Sequence, residues 1–325
     1  MGLEANATSE TVPEDRAADG WRTRLRRKRV IIPAILVILA VIALILGLAL
    51  GLTLRNKNGP KESPPTSAKW RPGVGTTFQV VLQSSLDDTT TDADVYDIDL
   101  FYNNRSTVAQ LHGAGRKVVC YFSAGSYEMW RHDWDEFEYS DLGSAVAPTS
   151  ISTTRTRTGL DGGERWVDIT SKNVLRIMRQ RLDFAHQKGC DGVDAGNVDA
   201  YDYHNGLGLN KAHAADYINW LADEAHARNM SMGLRNAGAM IPYVIKNMQW
   251  SVNEECVQYK SCKTYGRFIK ASKPVFHIEY PKGADTSNSQ AVTPAQKQTA
   301  CGGENAKRFS TVMKNVGLDS WIQTC

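Results

Sequence analysis

The chain has 325 residues, 42% of them hydrophobic and 22% charged, with a formal net charge of +3. That composition excludes a disordered or collagen-like polymer and allows one large domain with an appendage. The positive excess is local, in the run RTRLRRKR at residues 22–29, so it does not argue for a nucleic-acid-binding protein.

Directly after it, residues 30–54 (VIIPAILVILAVIALILGLALGLTL) carry no charge. About 20 apolar residues suffice to cross the hydrocarbon core of a membrane. A cleaved signal peptide has a shorter apolar region, about 7–15 residues. The run therefore reads as an uncleaved transmembrane signal-anchor. The positive-inside rule keeps the basic tail, residues 1–29, in the cytosol. The expectation is a single-pass type II membrane protein whose remainder is extracellular or lumenal. Residues 55–69 (RNKNGPKESPPTSAK) are rich in Pro, Lys and Ser and read as a linker. The globular domain is expected over residues 70–325.

Within it, short apolar or β-branched runs predict eight strands: 78–83, 95–101, 117–123, 190–196, 231–237, 250–255, 275–280 and 320–325. Helical spacing predicts helices over 170–189, with Thr170 or Ser171 as N-cap, over 209–229, and over 266–273. Strands alternating with helices imply parallel βαβ units. Eight of them predict an α/β fold, a (β/α)8 TIM barrel. The rival open doubly wound sheet usually carries a glycine-rich turn after its first strand. Here that turn is SSLDDTT, without glycine.

All six cysteines fall in this domain, where disulfides persist if it faces an oxidising compartment. Cys256 and Cys262, in CVQYKSC, are the first candidates for a pair. A zinc site is the rival, but no histidine lies at metal spacing nearby. Cys120 and Cys190 sit in strand-like runs and read as buried thiols. Cys301 and Cys325 can pair, and sequence leaves the connectivity open. Two sequons within this domain, at Asn104 and Asn229, permit glycosylation.

In such barrels the active site forms at the carboxyl ends of the strands. Polar residues concentrate there: Asp97 and Asp99, then Glu128, Arg131 and Asp133, then Asp191, Asp194, Asp199 and Asp202. They continue with Arg235, Asn236, Asn253, Glu254, Glu255, Glu279 and Tyr280. Carboxylates inside apolar runs are costly unless paired or used. Two carboxylates across a cleft suit glycoside hydrolysis. Tyr121, Tyr127, Trp130, Tyr201, Tyr280 and Trp321 suit sugar faces or barrel packing equally. No G-x-S-x-G elbow supports a serine triad, and no His-rich motif supports metal catalysis. No cofactor is expected.

The motifs VYDIDLF, KVVCYFSAGSYEMWR, GERWVDI, GCDGVDAGNVDAY, GLRNA, VNEECVQYKSC and PVFHIEY together resemble glycoside hydrolase family 114. This is the fungal and bacterial endo-α-1,4-polygalactosaminidase group, often named α-galactosidase. The resemblance implies a TIM barrel that cleaves α-linked galactosamine or galactose-type polysaccharide, and a glutamate of catalysis at Glu254. The family's second carboxylate falls on Gly196, so this chain departs from the pattern there. It also has Arg235 where lysine is usual. Asp194, one strand repeat earlier, or Asp199 on the following loop is the expected substitute. Restoring aspartate at Gly196 is expected to raise activity if that position is the missing one. Glu254 is expected to be a general acid with a raised pKa. Asp97, Asp99 and Asp199 are expected to meet substrate ammonium groups, with Tyr121, Glu128, Arg131, Arg235, Asn236, Glu279 and Tyr280 as further substrate-binding residues. The alternative is a catalytically impaired glycan-binding protein of the same fold.

Overall fold

The computed structural model describes residues 70–146, 163–284 and 286–325. Among these residues no helix is long and apolar enough to cross a membrane. The expected tail, anchor and linker, residues 1–69, lie outside them.

A nine-stranded sheet dominates, in the order β1-β2-β3-β7-β8-β9-β10-β11-β12. Its strands are β1 (Phe78–Val81), β2 (Val95–Asp99), β3 (Lys117–Ser123), β7 (Gly192–Gly196), β8 (Ser231–Arg235), β9 (Trp250–Glu254), β10 (Val275–Glu279), β11 (Ser310–Met313) and β12 (Gln323–Thr324). The first eight pair in parallel, and β12 is antiparallel to β11. The sheet curls, as in TIM-like α/β folds. The Ser310 hydroxyl donates to the Thr76 carbonyl at 2.6 Å, and Lys314 Nζ donates to Gln79 Oε1 at 2.8 Å, so the two ends of the parallel run meet.

Strand side chains alternate between faces, and the core divides accordingly. Tyr96, Ile98, Val118, Cys120, Phe122, Val193, Met232 and Leu234 face the helices. Phe78, Val80, Val95, Val119, Trp250, Val252, Phe276, Ile278 and Val312 fill the inside of the curl. Trp250 fits there because β8 offers Gly233 opposite it: a Cβ at that position would lie 2.0 Å from the indole Nε1. Trp70 packs against Trp250 with ring centroids 5.3 Å apart, and its carbonyl accepts from Ser231 Oγ at the start of β8. The chain thus joins the domain at the amino-terminal rim of the strands.

The connecting helices are α1 (Arg105–Gly113), α2 (Lys172–Lys188), α3 (Lys211–Ala227), α4 (Ile241–Val244), α5 (Cys262–Lys270) and α6 (Pro294–Cys301). Ser171 caps α2, its hydroxyl accepting from the amides of Asn173 and Val174. Gly189 ends that helix at φ +92, in the left-handed region that glycine adopts without strain.

The structure corrects two expectations and adds a second sheet. The eighth parallel strand is β11, whereas residues 320–325 supply only the two-residue edge β12. β11 is four residues long and only half buried in its first two, so its apolar signal is weak. A separate antiparallel sheet, β4 (Ser126–Glu128), β6 (Glu164–Val167) and β5 (Leu142–Ala145), lies between β3 and α2. Finally, Cys120 and Cys190 are bonded to each other rather than free. With Cys256–Cys262 and Cys301–Cys325 they make three disulfides. Cys120 and Cys190 belong to adjoining strand segments, since the register pairs Cys120 with Val193, close to Cys190.

Candidate active site

Glu254 closes β9, on the inward parity of Trp250 and Val252, and its side chain is 23% exposed. Three neighbours grip its carboxylate. Tyr280 Oη donates to Oε2 at 2.5 Å, and Arg235 donates to Oε1 through Nε at 3.1 Å, with its Nη2 3.0 Å away. Asn236 Nδ2 donates to Oε1 at 3.2 Å, while its Oδ1 accepts from the Glu254 amide at 2.9 Å. Asn236 has φ +48, a left-handed conformation that asparagine tolerates better than most residues. That turn at the end of β8 folds its side chain across β9.

Beneath Glu254 lies a buried layer. Arg235 Nη1 is 2.5 Å from Asp194 Oδ2 and 3.7 Å from Asp97 Oδ2. Asp194 is fully buried and Asp97 is 2% exposed. Among the described residues, both Asp97 oxygens and Asp194 Oδ1 lack a hydrogen-bond donor. The Arg235 guanidinium also stands 5.0 Å over the Tyr121 ring. Tyr121 in turn occupies the space beside Gly196: a Cβ there would lie 2.7 Å from both its Cε2 and its hydroxyl.

Electrostatics separate these groups. Burial alone would raise the Glu254 pKa. The Arg235 charge and the hydrogen bonds from Tyr280, Asn236 and Arg235 outweigh it and hold the carboxyl below its ordinary value. The expectation of a raised Glu254 is therefore corrected: it is an anion, because the neighbouring cation was not foreseeable from spacing. Asp97 moves the other way. Burial, then the Asp194 charge, push it well above the usual carboxylate range.

Asp199 occupies the loop after β7, just before the short turn Ala200–Asp202. Its carboxyl does not cap that turn, and among the described residues it pairs with no cation. Burial raises its pKa to about 6, opposed by a bond from its own amide and reinforced by Asp202 and Glu254. Asp199 and Glu254 both lie near enough to the Tyr265 phenol to act on it.

The remaining sequence-selected residues form separate networks. Arg131 binds Asp99 at 2.8 Å and Glu128 at 2.6 Å. Asp99 Oδ1 also accepts from the amides of Phe101 and Tyr102, so this carboxylate is held inside the protein by Arg131 and the turn that follows it. Glu279 accepts from the Val257 amide at 2.8 Å and lies 2.7 Å from His277 Nε2. It braces the loop that follows Glu254. Cys256, Cys262 and His277 cluster with ligand atoms within 4.8 Å, but both sulfurs are spent in the disulfide, which removes the zinc reading.

Sequence reasoning missed several groups. Asn197, at φ +58, donates through Nδ2 to Ser126 Oγ at 2.8 Å and Glu164 Oε1 at 3.0 Å, tying the β7 loop to the small sheet. Arg181 binds Asp133 at 2.8 Å and the Ser123 carbonyl at 2.6 Å, both deep in the protein. Tyr203 stacks on Trp166 with centroids 5.2 Å apart. An aromatic directly after the aspartate cluster, next to Asp202, was the available signal for the last of these.

A parallel α/β sheet with a gripped glutamate, buried aspartates beside it and aromatic rings at its carboxyl-terminal rim has the layout of a glycoside hydrolase. The family model of glycoside-hydrolase family GH114 matches residues 59–325, and the chain belongs to that family; it is a glycosidase. Among solved structures, it is 55% identical to Aspergillus fumigatus Ega3, crystallised in complex with galactosamine. That alignment covers 80% of this chain and 99% of the other, with a TM-score of 0.75. The glycoside hydrolase domain of PelA from Pseudomonas aeruginosa is 11% identical over 76% of this chain and 98% of its own, with a TM-score of 0.55. The latter likeness concerns the fold alone. No curated protein matches the chain.

Proposed function

We propose that this chain is an endo-acting hydrolase of α-1,4-linked galactosamine polymers, built on a closed (β/α)8 barrel and held to a membrane by residues 30–54. Its domain then faces the exterior or the lumen, a placement that suits three disulfides. The likeness to Ega3 with galactosamine bound supports an amino-sugar substrate. An acidic rim favours a cationic chain.

The carrying observation is Glu254 at the carboxyl end of β9, gripped by Tyr280, Arg235 and Asn236, with Asp199 on the loop after β7 near enough to feel its charge. Asp199 pairs with no cation among the described residues, and their surroundings shift the two carboxyls in opposite directions. Carboxyl groups whose surroundings push their pKa values apart divide the acid and base work between them. Asp199, protonated, donates its proton to the glycosidic oxygen as the bond to the anomeric carbon breaks. Glu254, ionised, stabilises the positive charge developing at that carbon. Water adds there, and its released proton restores Asp199. Asp194 is a positioning residue in this scheme. It lies too deep to meet a sugar and fixes Arg235, which fixes Glu254.

The test is incubation of the full chain with partially deacetylated galactosaminogalactan. Released oligosaccharides, abolished in Glu254→Gln, support the proposal. Binding without cleavage by the native chain would overturn it in favour of a glycan-binding protein, the reading that Gly196 invites.

A further inference from the structure

We propose that Tyr203, with Asp202 and Tyr259, forms a binding subsite for a further amino-sugar ring of the polymer, outside the ring that is cleaved. This rests on the reading of the chain as a galactosamine-polymer hydrolase and extends it.

Tyr203 has one covered face and one open face. Trp166 is 3% exposed and supports it from beneath, with ring planes 27° apart. Tyr203 itself is 46% exposed. A half-open aromatic backed by a buried one is a rigid, flat platform, which a pyranose ring's C–H face can cover at little entropic cost. The loop that carries it is fixed rather than free. Asn205 Nδ2 donates to the Ala200 carbonyl at 3.0 Å, and the Ser144 amide donates to the Asn205 carbonyl at 2.8 Å.

Opposite stands the loop that follows Glu254. Tyr259 is 65% exposed on it. The Cys256–Cys262 bond closes this loop, and the Ser261 amide donates to the Cys256 carbonyl at 2.8 Å. Asp199, Asp202 and Tyr259 all lie close enough to act on the Tyr203 phenol. The platform therefore adjoins the Asp199 side of the catalytic pair. Asp202 is exposed and makes no ion pair among the described residues, which leaves it for a substrate ammonium group. The Tyr201 hydroxyl, one residue before it, is buried without a hydrogen-bond partner among the described residues and gives the loop an unspent donor.

A platform one ring away from the cleaved bond acts on long chains and not on short ones. The experiment measures kcat and KM on galactosamine oligomers of graded length, with the full chain, Tyr203→Ala, Tyr203→Phe and Asp202→Asn. Tyr203→Ala is expected to raise KM for long oligomers about tenfold, with kcat held and the loss fading as the oligomer shortens. Tyr203→Phe keeps the platform and is expected to restore long-chain KM. Asp202→Asn is expected to narrow the preference for deacetylated over acetylated chains. Equal effects of Tyr203→Ala on short and long oligomers, or none, would overturn the subsite. If the native chain cuts no galactosamine oligomer at all, the parent reading fails instead. Circular dichroism of each variant separates these results from loss of fold.

Discussion

Arg235 bridges Asp194 and Glu254, its Nη1 lying 2.5 Å from the first and its Nη2 3.0 Å from the second. One guanidinium thus links a fully buried carboxylate to the carboxylate at the mouth of the site. Its planar fork makes both contacts at once, which an ammonium point charge does not.

Removing Arg235 leaves Asp194 buried with no counter-charge. Arg235→Ala is expected to cost about 3–5 kcal/mol of stability, read by chemical denaturation. Arg235→Lys is expected to restore part of that loss and little activity, because one amine cannot hold both partners.

The raised Asp199 sets a pH limit. Its protonated form donates the proton, so kcat/KM is expected to fall as pH rises through about 6. Asp199→Asn removes that limb and lowers the rate on ordinary glycosides about a hundredfold or more. A substrate with a leaving group that needs no proton is expected to lose far less. A pH profile of wild type and variant on both substrates checks this.

Gly196 and Tyr121 act as a pair. Because a Cβ at position 196 meets the Tyr121 ring at 2.7 Å, Gly196→Asp alone is expected to destabilise the domain by about 1–3 kcal/mol through overpacking. It is not expected to raise activity. Gly196→Asp with Tyr121→Ala makes room for the carboxylate and is the variant in which a gain is expected. Thermal melts and product assays of the single and double variants decide it.

Lys314 is fully buried where β11 meets β1. Burial lowers its pKa to about 7, opposed by Asp319. Between pH 7 and about 10.4 the unfolded chain therefore holds the extra proton, and stability from this group rises with pH. The slope is at most about 1.4 kcal/mol per pH unit. Lys314→Met is expected to flatten that part of the curve, measured by denaturation at a series of pH values.

Much of the fold was legible because strand parity is a sequence property. The inward set Asp97, Asp99, Tyr121, Asp194, Arg235, Glu254 and Tyr280 follows from period two alone, and the structure gathers five of these around the sixth, Arg235: Asp97, Asp194, Glu254 and Tyr121 lie against it, and Tyr280 bonds Glu254. What parity cannot supply is depth and partner choice. Asp99 and Asp97 look alike in sequence, yet Arg131 takes one and neither arginine fully pairs the other. The sign of the Glu254 shift depended on the same long-range choice. β11 was missed because four residues with two half-exposed positions give no usable run.

The contact of Trp70 with Trp250 and Ser231 has a practical corollary. It sets the domain's point of attachment at the end of the strands remote from Glu254. An affinity handle or a solid support coupled upstream of Trp70 leaves the cleft facing outward, so the immobilised domain should process a long polymer as freely as the dissolved one.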